Sequence, residues 1–168
     1  MFKLMILPET LKGLSRRALR QHLETIHAPL CLGLPGVCGR FTRYVHHYVL
    51  DAAIDHLLGK RVGHWDVLTT ICFADMGSFQ ASISAPEYAL QVVPDENRFR
   101  VAEGSIACPV DECVLRESGR SGPTLFYLRR ARPGSDRDAV GAEWRMRLRA
   151  ILEMPGLESA EKVVEVYV

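Results

Sequence analysis

No apolar run in this chain of 168 residues approaches the ~20 residues that a membrane-spanning helix needs. The opening MFKLMILPET is interrupted by Pro8 too soon to read as a signal peptide, so the cytoplasm is the expected location. Cysteine is scarce, and the five present are odd in number and irregularly spaced, which excludes a disulfide framework. Cys108 and Cys113 resemble a zinc half-site, but no second Cys or His pair follows at a usual distance, and buried free thiols are the expectation. Charge of one sign is also lacking, with a formal net charge of +1. The basic stretch carrying Arg130, Arg132, Arg137, Arg145, Arg147 and Arg149 is interleaved with Asp136, Asp138 and Glu143 and reads as a solvated helix face, so nucleic acid is not expected as a partner. A glycine-rich phosphate loop and a nucleophile elbow are both missing.

What is present suits one domain, or a domain with an appendage: 48% apolar and 24% charged residues over a length able to bury a core. FKLMIL (residues 2–7) has strand length and is bounded by Pro8 and Gly13. Leu14 and Ser15 then look like a helix start, and Leu19, Leu23, Ile26 and Leu30 form one apolar stripe with His22 and His27 at its margins. Pro29 biases Ala28 away from helix, so the spacing predicts a helix end or kink there, before the turn Leu34 to Gly36. RFTRYVHHYVL (residues 40–50) reads as a strand with Thr42, Tyr44, His46 and Tyr48 on one face and Val45, His47 and Val49 on the other. Residues 52–63 read as a connection, and WDVLTTICFAD (residues 65–75) as a third strand. Ser78 is the expected cap of a second helix, interrupted at Pro86 and resuming towards Phe99. SIACPVDECVL (residues 105–115) contains a fourth strand with an edge, bulge or break at Pro109.

The order strand, helix, strand, strand, helix, strand is that of a ferredoxin-like split βαβ unit, an α+β fold with both helices on one sheet face. Its other face needs a cover, so an internal second unit or oligomerisation is expected. The tail supplies a candidate. At an ungapped offset of 120, Ser15 matches Ser135 and Leu34-Pro35-Gly36 matches Met154-Pro155-Gly156, while Arg147 stands opposite His27. TLFYLRRA, a helix capped by Ser135 with Val140, Trp144, Leu148 and Ile151 on one face, and KVVEVYV make a partial second βαβ unit. Domains are thus expected at residues 1–118 and 119–168. KVVEVYV is expected to be a bare apolar edge unless it pairs elsewhere, which points to a homodimer.

GLSRRALRQHLETIHAP, LPGV, RYVHHYVLD, WDVLTTICF, APEY and DENRF, in this order across the first ~115 residues, resemble the EthD-like domain family. That resemblance implies a dimeric α+β barrel of ferredoxin-like units and kinship with small cofactor-independent enzymes, among them methylmuconolactone methylisomerase. It also maps a helix-end histidine and a following-strand tyrosine of the isomerase pocket onto His27 and Tyr44. Where many relatives carry a glutamate in the third strand, this chain has Thr70, so a carboxylate is missing there, with His46 as a substitute.

The candidate catalytic residues are therefore His27, Tyr44 and His46, with Tyr48 and Thr70 as substrate-binding residues. Histidine titrates nearest neutrality and suits proton transfer. A helix end raises its pKa and burial lowers it, and the sequence leaves both open, as it does a purely structural role at the turn. Which strand face looks into the barrel is decided by the apolar Val45 and Val49, which suit helices and leave Tyr44 to the barrel, with His47 under the helices or at the sheet edge. Since His46 and His47 point to opposite faces, no metal is expected, and no haem motif is present; cofactors are expected to be none. The sequence reading is a cofactor-independent isomerase, cyclase or lyase for a small apolar carbonyl or lactone-like metabolite; the alternative is a non-catalytic binding protein for an apolar small molecule.

Overall fold

The computed structural model describes residues 1–49, 65–117, 124–129, 134, 136, 141–146 and 162–167. The connection expected at residues 52–63 lies outside them, as do Ser135, Arg147, Leu148, Ile151 and the turn at residues 154–156. The chain divides into two compact units, Met1–Pro109 and Val110–Val168.

In the first unit, strands β1 (Phe2–Thr10), β2 (Phe41–Tyr48), β3 (Val67–Phe73) and β4 (Arg100–Pro109) form an antiparallel sheet in the order β2-β3-β1-β4. This is the split βαβ arrangement, in which each crossover leaves room for one strand of the other half. Pro109 ends β4, where it cannot extend the ladder as a donor. β4 also begins at Arg100, earlier than its apolar run suggests.

The first crossover helix does not stop at Pro29. Ser15 caps α1 (Arg16–His22) by accepting from the Ala18 N–H, a π-helical turn spans Leu23–His27, and α2 (Ala28–Leu32) carries Pro29 within its first turn. The Ala28 N–H bonds the Leu23 carbonyl, one residue further back than in an α-helix. Proline clashes with the carbonyl four residues before it and offers no donor; the wider turn accommodates both defects, so the chain stays helical. The extra residue also changes the buried face. Ile26, expected inside, is 45% exposed, while Leu19, Leu23, His27 and Cys31 are buried at a constant spacing of four. A short helix α3 (Pro35–Cys38) follows.

The second crossover repeats the device. Asp75, not Ser78, caps α4 (Met76–Ile83) through the Ser78 N–H. A second π-helical turn, Tyr88–Val92, precedes α5 (Val93–Glu96), which holds Pro94. In both crossovers the proline stands two residues beyond the π-helical turn.

These helices pack on the sheet face that bears Tyr44 and His46. Phe41 and Tyr88 join Cys31, Val37 and Val92 in one core cluster; Tyr48 joins Leu19, Leu23, Val67 and Phe99 in another. The apolar Val45 and Val49 opposite assigned this face to the barrel side, away from the helices. The assignment reverses because Val45 and Val49 are not the deciding residues. The other face carries Met5, Leu7, Leu68 and Cys72, all buried, so apolarity does not tell the faces apart.

In the second unit β5 (Asp111–Glu117), β7 (Lys162–Tyr167) and β6 (Thr124–Arg129) lie in the order β5-β7-β6, with β6 parallel and β5 antiparallel to β7. Residues 141–146 are helical between the parallel strands, as a βαβ crossover requires. β7 is paired on both sides. KVVEVYV is not left bare: it pairs with β5, which lies inside the residues 1–118 expected as the first unit, so this edge does not itself call for a second chain.

A buried charge network ties the ends of the first unit's elements. Asp66, 7% exposed, accepts from Thr10 Oγ1 at 3.0 Å and Arg16 Nε at 2.7 Å. Removing a buried carboxylate strands its partners, whereas an exposed pair such as Arg20–Glu24 contributes little. Asp66→Ala is therefore expected to lower unfolding stability by about 2–4 kcal/mol in urea titration, and Glu24→Ala by roughly 0.5 kcal/mol or less.

Candidate functional site

Between the helices and the sheet lies a cavity of about 80 Å³. Its lining is largely aliphatic and aromatic, from Ile6, Leu23, Phe41, Ile71, Phe73 and Phe99 among others, with a few polar groups set into it. Small apolar cavities with convergent polar groups suit ligands of the same description.

His27, Tyr44 and His46 all line this cavity. His27 arrives from the π-helical turn and is 7% exposed. Its Nδ1 lies 2.9 Å from Asp95 Oδ2, and its Nε2 lies 3.6 Å from Cys31 Sγ. A carboxylate only accepts, so Nδ1 carries the proton and donates it to Asp95, leaving the Nε2 lone pair towards the thiol. Asp95, 4% exposed, also accepts from His22 Nε2 at 3.1 Å. Phe99 packs against both imidazoles, with ring centroids 5.0 Å from His27 and 5.4 Å from His22.

Because the helix runs on to Leu32, no helix C-terminus raises the His27 pKa. Burial is the largest influence and lowers it below the ordinary histidine value, against the opposing hydrogen bond to Asp95. Neutral His27 is thus a base rather than an acid at neutral pH. Tyr44 is raised above the ordinary tyrosine range, chiefly by burial. Burial likewise pushes the Cys31 thiol up to about 12.

His46 sits edge-on to Tyr44 at 4.8 Å, and its Nδ1 lies 2.8 Å from Thr69 Oγ1. Its Nε2 is buried without a hydrogen-bond partner, and desolvation lowers its pKa to about 4. A neutral imidazole with one unused nitrogen beside a cavity can receive a ligand hydroxyl or carbonyl.

Tyr48 and Thr70 are not brought to the cavity. Tyr48 shares the face of Tyr44 but stands in the neighbouring core cluster beneath Arg20, whose guanidinium lies 4.7 Å from the ring. Thr70 points to the opposite face, 3.4 Å from His47 Nε2, and the register of β3 gives the cavity Thr69 instead. A one-residue step along a strand exchanges faces, which is why the substitution is complete. His47, expected under the helices or at the sheet edge, lies with Thr70 on the far face of β2, an edge strand of the sheet.

The sequence reading missed Cys31, Asp95, Glu96 and Arg100. Glu96 and Arg100 line the cavity as an ion pair, with Tyr88 Oη 3.4 Å from Glu96 Oε1. A carboxylate therefore does reach the cavity, from the end of α5 instead of from β3. Among the described residues no group of three His, Cys, Asp or Glu side chains is arranged to hold a metal, and no helix is long and apolar enough to cross a membrane.

The EthD domain model matches residues 11–101, more than half of the chain. The chain belongs to the EthD domain family. Residues 11–101 of this EthD domain hold the polar cavity residues His27, Cys31, Tyr44, His46, Thr69, Glu96 and Arg100, and also Asp95 behind His27. No curated protein matches the sequence significantly. Among solved structures, the chain is similar to an ethyl tert-butyl ether D (EthD) family protein from Bacillus halodurans C-125, at 19% identity over 65% of this chain and 96% of that one, with a TM-score of 0.45. It is also similar to HapK from Hahella chejuensis, at 13% identity over 72% and 96% of the two chains, TM-score 0.46. A third is a dimeric ferredoxin-like protein of unknown function from Thermobifida fusca YX, at 12% identity over 64% and 87%, TM-score 0.43.

The depressed pKa values give the EthD domain a defined acid response. A group whose folded pKa lies below its unfolded value binds fewer protons when folded, so its contribution is present above pH 6.5 and is lost as pH falls towards the folded pKa. For His46 the window runs from 6.5 to about 4, and the loss is on the order of 2 kcal/mol, less than the full shift because the ring is only partly buried. Chemical denaturation across that range is expected to show the decline in wild type and a shallower one in His46→Gln.

Proposed function

We propose that this EthD domain is a cofactor-independent isomerase, cyclase or lyase that moves a proton on a small, uncharged, mostly apolar carbonyl or lactone-like molecule. The observation that carries this reading is the convergence of His27, Tyr44 and His46 on one largely apolar cavity. Neutral His27, oriented through Asp95, serves as base, and the imidazolium it becomes is stabilised by that carboxylate. Tyr44 meets the ligand oxygen or the departing proton, and His46 Nε2 anchors the ligand by a hydrogen bond. An uncharged ligand fits the electrostatics: His27, His46 and Tyr44 are neutral near pH 7, and Glu96 is compensated by Arg100.

A second reading, a non-catalytic carrier or sensor of an apolar small molecule, is favoured by one feature. Both ring nitrogens of His27 are engaged inside the protein, so neither faces the cavity freely. The homodimeric barrel that the family resemblance implies belongs to the proposal as well; only monomer in sedimentation at micromolar concentration would remove it.

Proton transfer can be detected before the full reaction is known. In deuterium oxide, the protein is expected to exchange the α-proton of a fitting ketone or lactone, read by proton NMR across a panel of small uncharged compounds. His27→Gln, with its fold verified by circular dichroism, is expected to slow exchange by on the order of 10²-fold or more. Equal exchange in the variant removes His27 from the role, and binding without exchange across the panel supports the carrier.

A further inference from the structure

A charged pair stands in the wall of the otherwise largely apolar cavity. Glu96 closes α5 and Arg100 opens β4, so the two side chains meet at the corner between helix and strand. Both line the cavity, and their side chains are only 12% and 22% exposed. Arg100 Nη2 donates to Glu96 Oε2, while among the described residues Glu96 Oε1 receives only a long contact of 3.4 Å from the Tyr88 hydroxyl. A carboxylate accepts several hydrogen bonds and a guanidinium carries several donors, so both partners keep capacity beside the cavity.

Stability does not account for a pair in that place. Taking two charges out of water costs about as much as their attraction returns, and apolar residues of similar volume are often as stabilising. What the pair gives the cavity is an acceptor beside a donor with no net charge. A ligand hydroxyl matches both at once: its O–H donates to Glu96 Oε1, and its oxygen accepts from the Arg100 guanidinium. A hydrocarbon group or a lone carbonyl at the same spot leaves the Glu96 oxygen unmet.

We infer that the Glu96–Arg100 pair is a recognition subsite for a hydroxyl on the ligand, which narrows the ligand class to hydroxy-ketones and hydroxy-lactones whose hydroxyl stands away from the carbonyl. The inference deepens the reading above and rests on it for the uncharged carbonyl ligand. Tyr44 and His46 lie on β2 and Arg100 on β4, the two edge strands of the sheet, so the carbonyl and the hydroxyl are met from opposite sides of one cavity. His46 Nε2, buried without a partner, belongs to the carbonyl side. A site built to bond a hydroxyl rejects the analogue that lacks it, because its own polar atoms then stay unmet.

The probes are cyclohexanone and 4-hydroxycyclohexanone, which share ring and carbonyl and differ only in the hydroxyl. Each is titrated into the full chain, with the dissociation constant read from amide shift changes in nitrogen-15 spectra. The hydroxy-ketone is expected to bind tighter by on the order of 10-fold or more. The preference is expected to vanish in Glu96→Leu/Arg100→Leu, which removes both charges together, or in Glu96→Met/Arg100→Met should the leucines fail to fold. Equal binding of the two ketones by wild type, binding of neither at millimolar concentration, or a preference kept in the double variant overturns the subsite. Exchange of the α-protons of both ketones at equal rates, lost in His27→Gln, removes the subsite while proton transfer stands. A preference for the hydroxy-ketone without any α-proton exchange supports the subsite and assigns it to the carrier.

Discussion

The Asp95 carboxylate is the interaction on which the site depends. It is 4% exposed and accepts from imidazole nitrogens of His22 and His27, which arrive from the other crossover. Burying an ion is costly unless hydrogen bonds replace its hydration, and these two donors do so while joining the two helical segments. The bond to Nδ1 fixes the His27 tautomer, and the tautomer decides that Nε2 is an acceptor. The base role assigned to His27 follows from that choice.

Two prolines make this contact possible. Pro29 and Pro94 each lie two residues beyond a π-helical turn, and those turns let both helices continue past a residue that ordinarily ends them. The first turn moves the buried face from Ile26 to His27 and lines up Cys31 behind it. In the second crossover, Asp95 follows Pro94 directly and stands buried opposite His27. A local backbone irregularity thereby sets which side chains meet in the core, as is common where α-helices carry functional groups.

The fold was legible because element order, apolar runs and turn residues agreed with one another. The four strands, the N-cap at Ser15 and the alternation in Tyr44, His46 and Tyr48 could all be read without coordinates. Two kinds of fact could not. A π-helical turn has no signature separate from the proline that accompanies it, so Pro29 reads as an end and Ile26 as core. Strand alternation separates two faces but does not say which one meets the helices when both are apolar, hence the reversed placement of Tyr44 and His47 and the exchange of Thr69 for Thr70. Asp95 and Cys31 escaped because their partners are distant in sequence or reached through that turn, though the spacing of four between His27 and Cys31 was a usable hint.

Buried His27 is a neutral, Nδ1-protonated imidazole held by Asp95, with its Nε2 lone pair as the proton acceptor. Nitrogen-15 spectra of the histidine rings in the wild-type protein, followed through neutral pH, test it directly. A proton on Nδ1, a bare acceptor nitrogen at Nε2, and protonation only below the ordinary histidine pKa are the expected result. An imidazolium at pH 7, or a proton on Nε2 of the neutral ring, would contradict it.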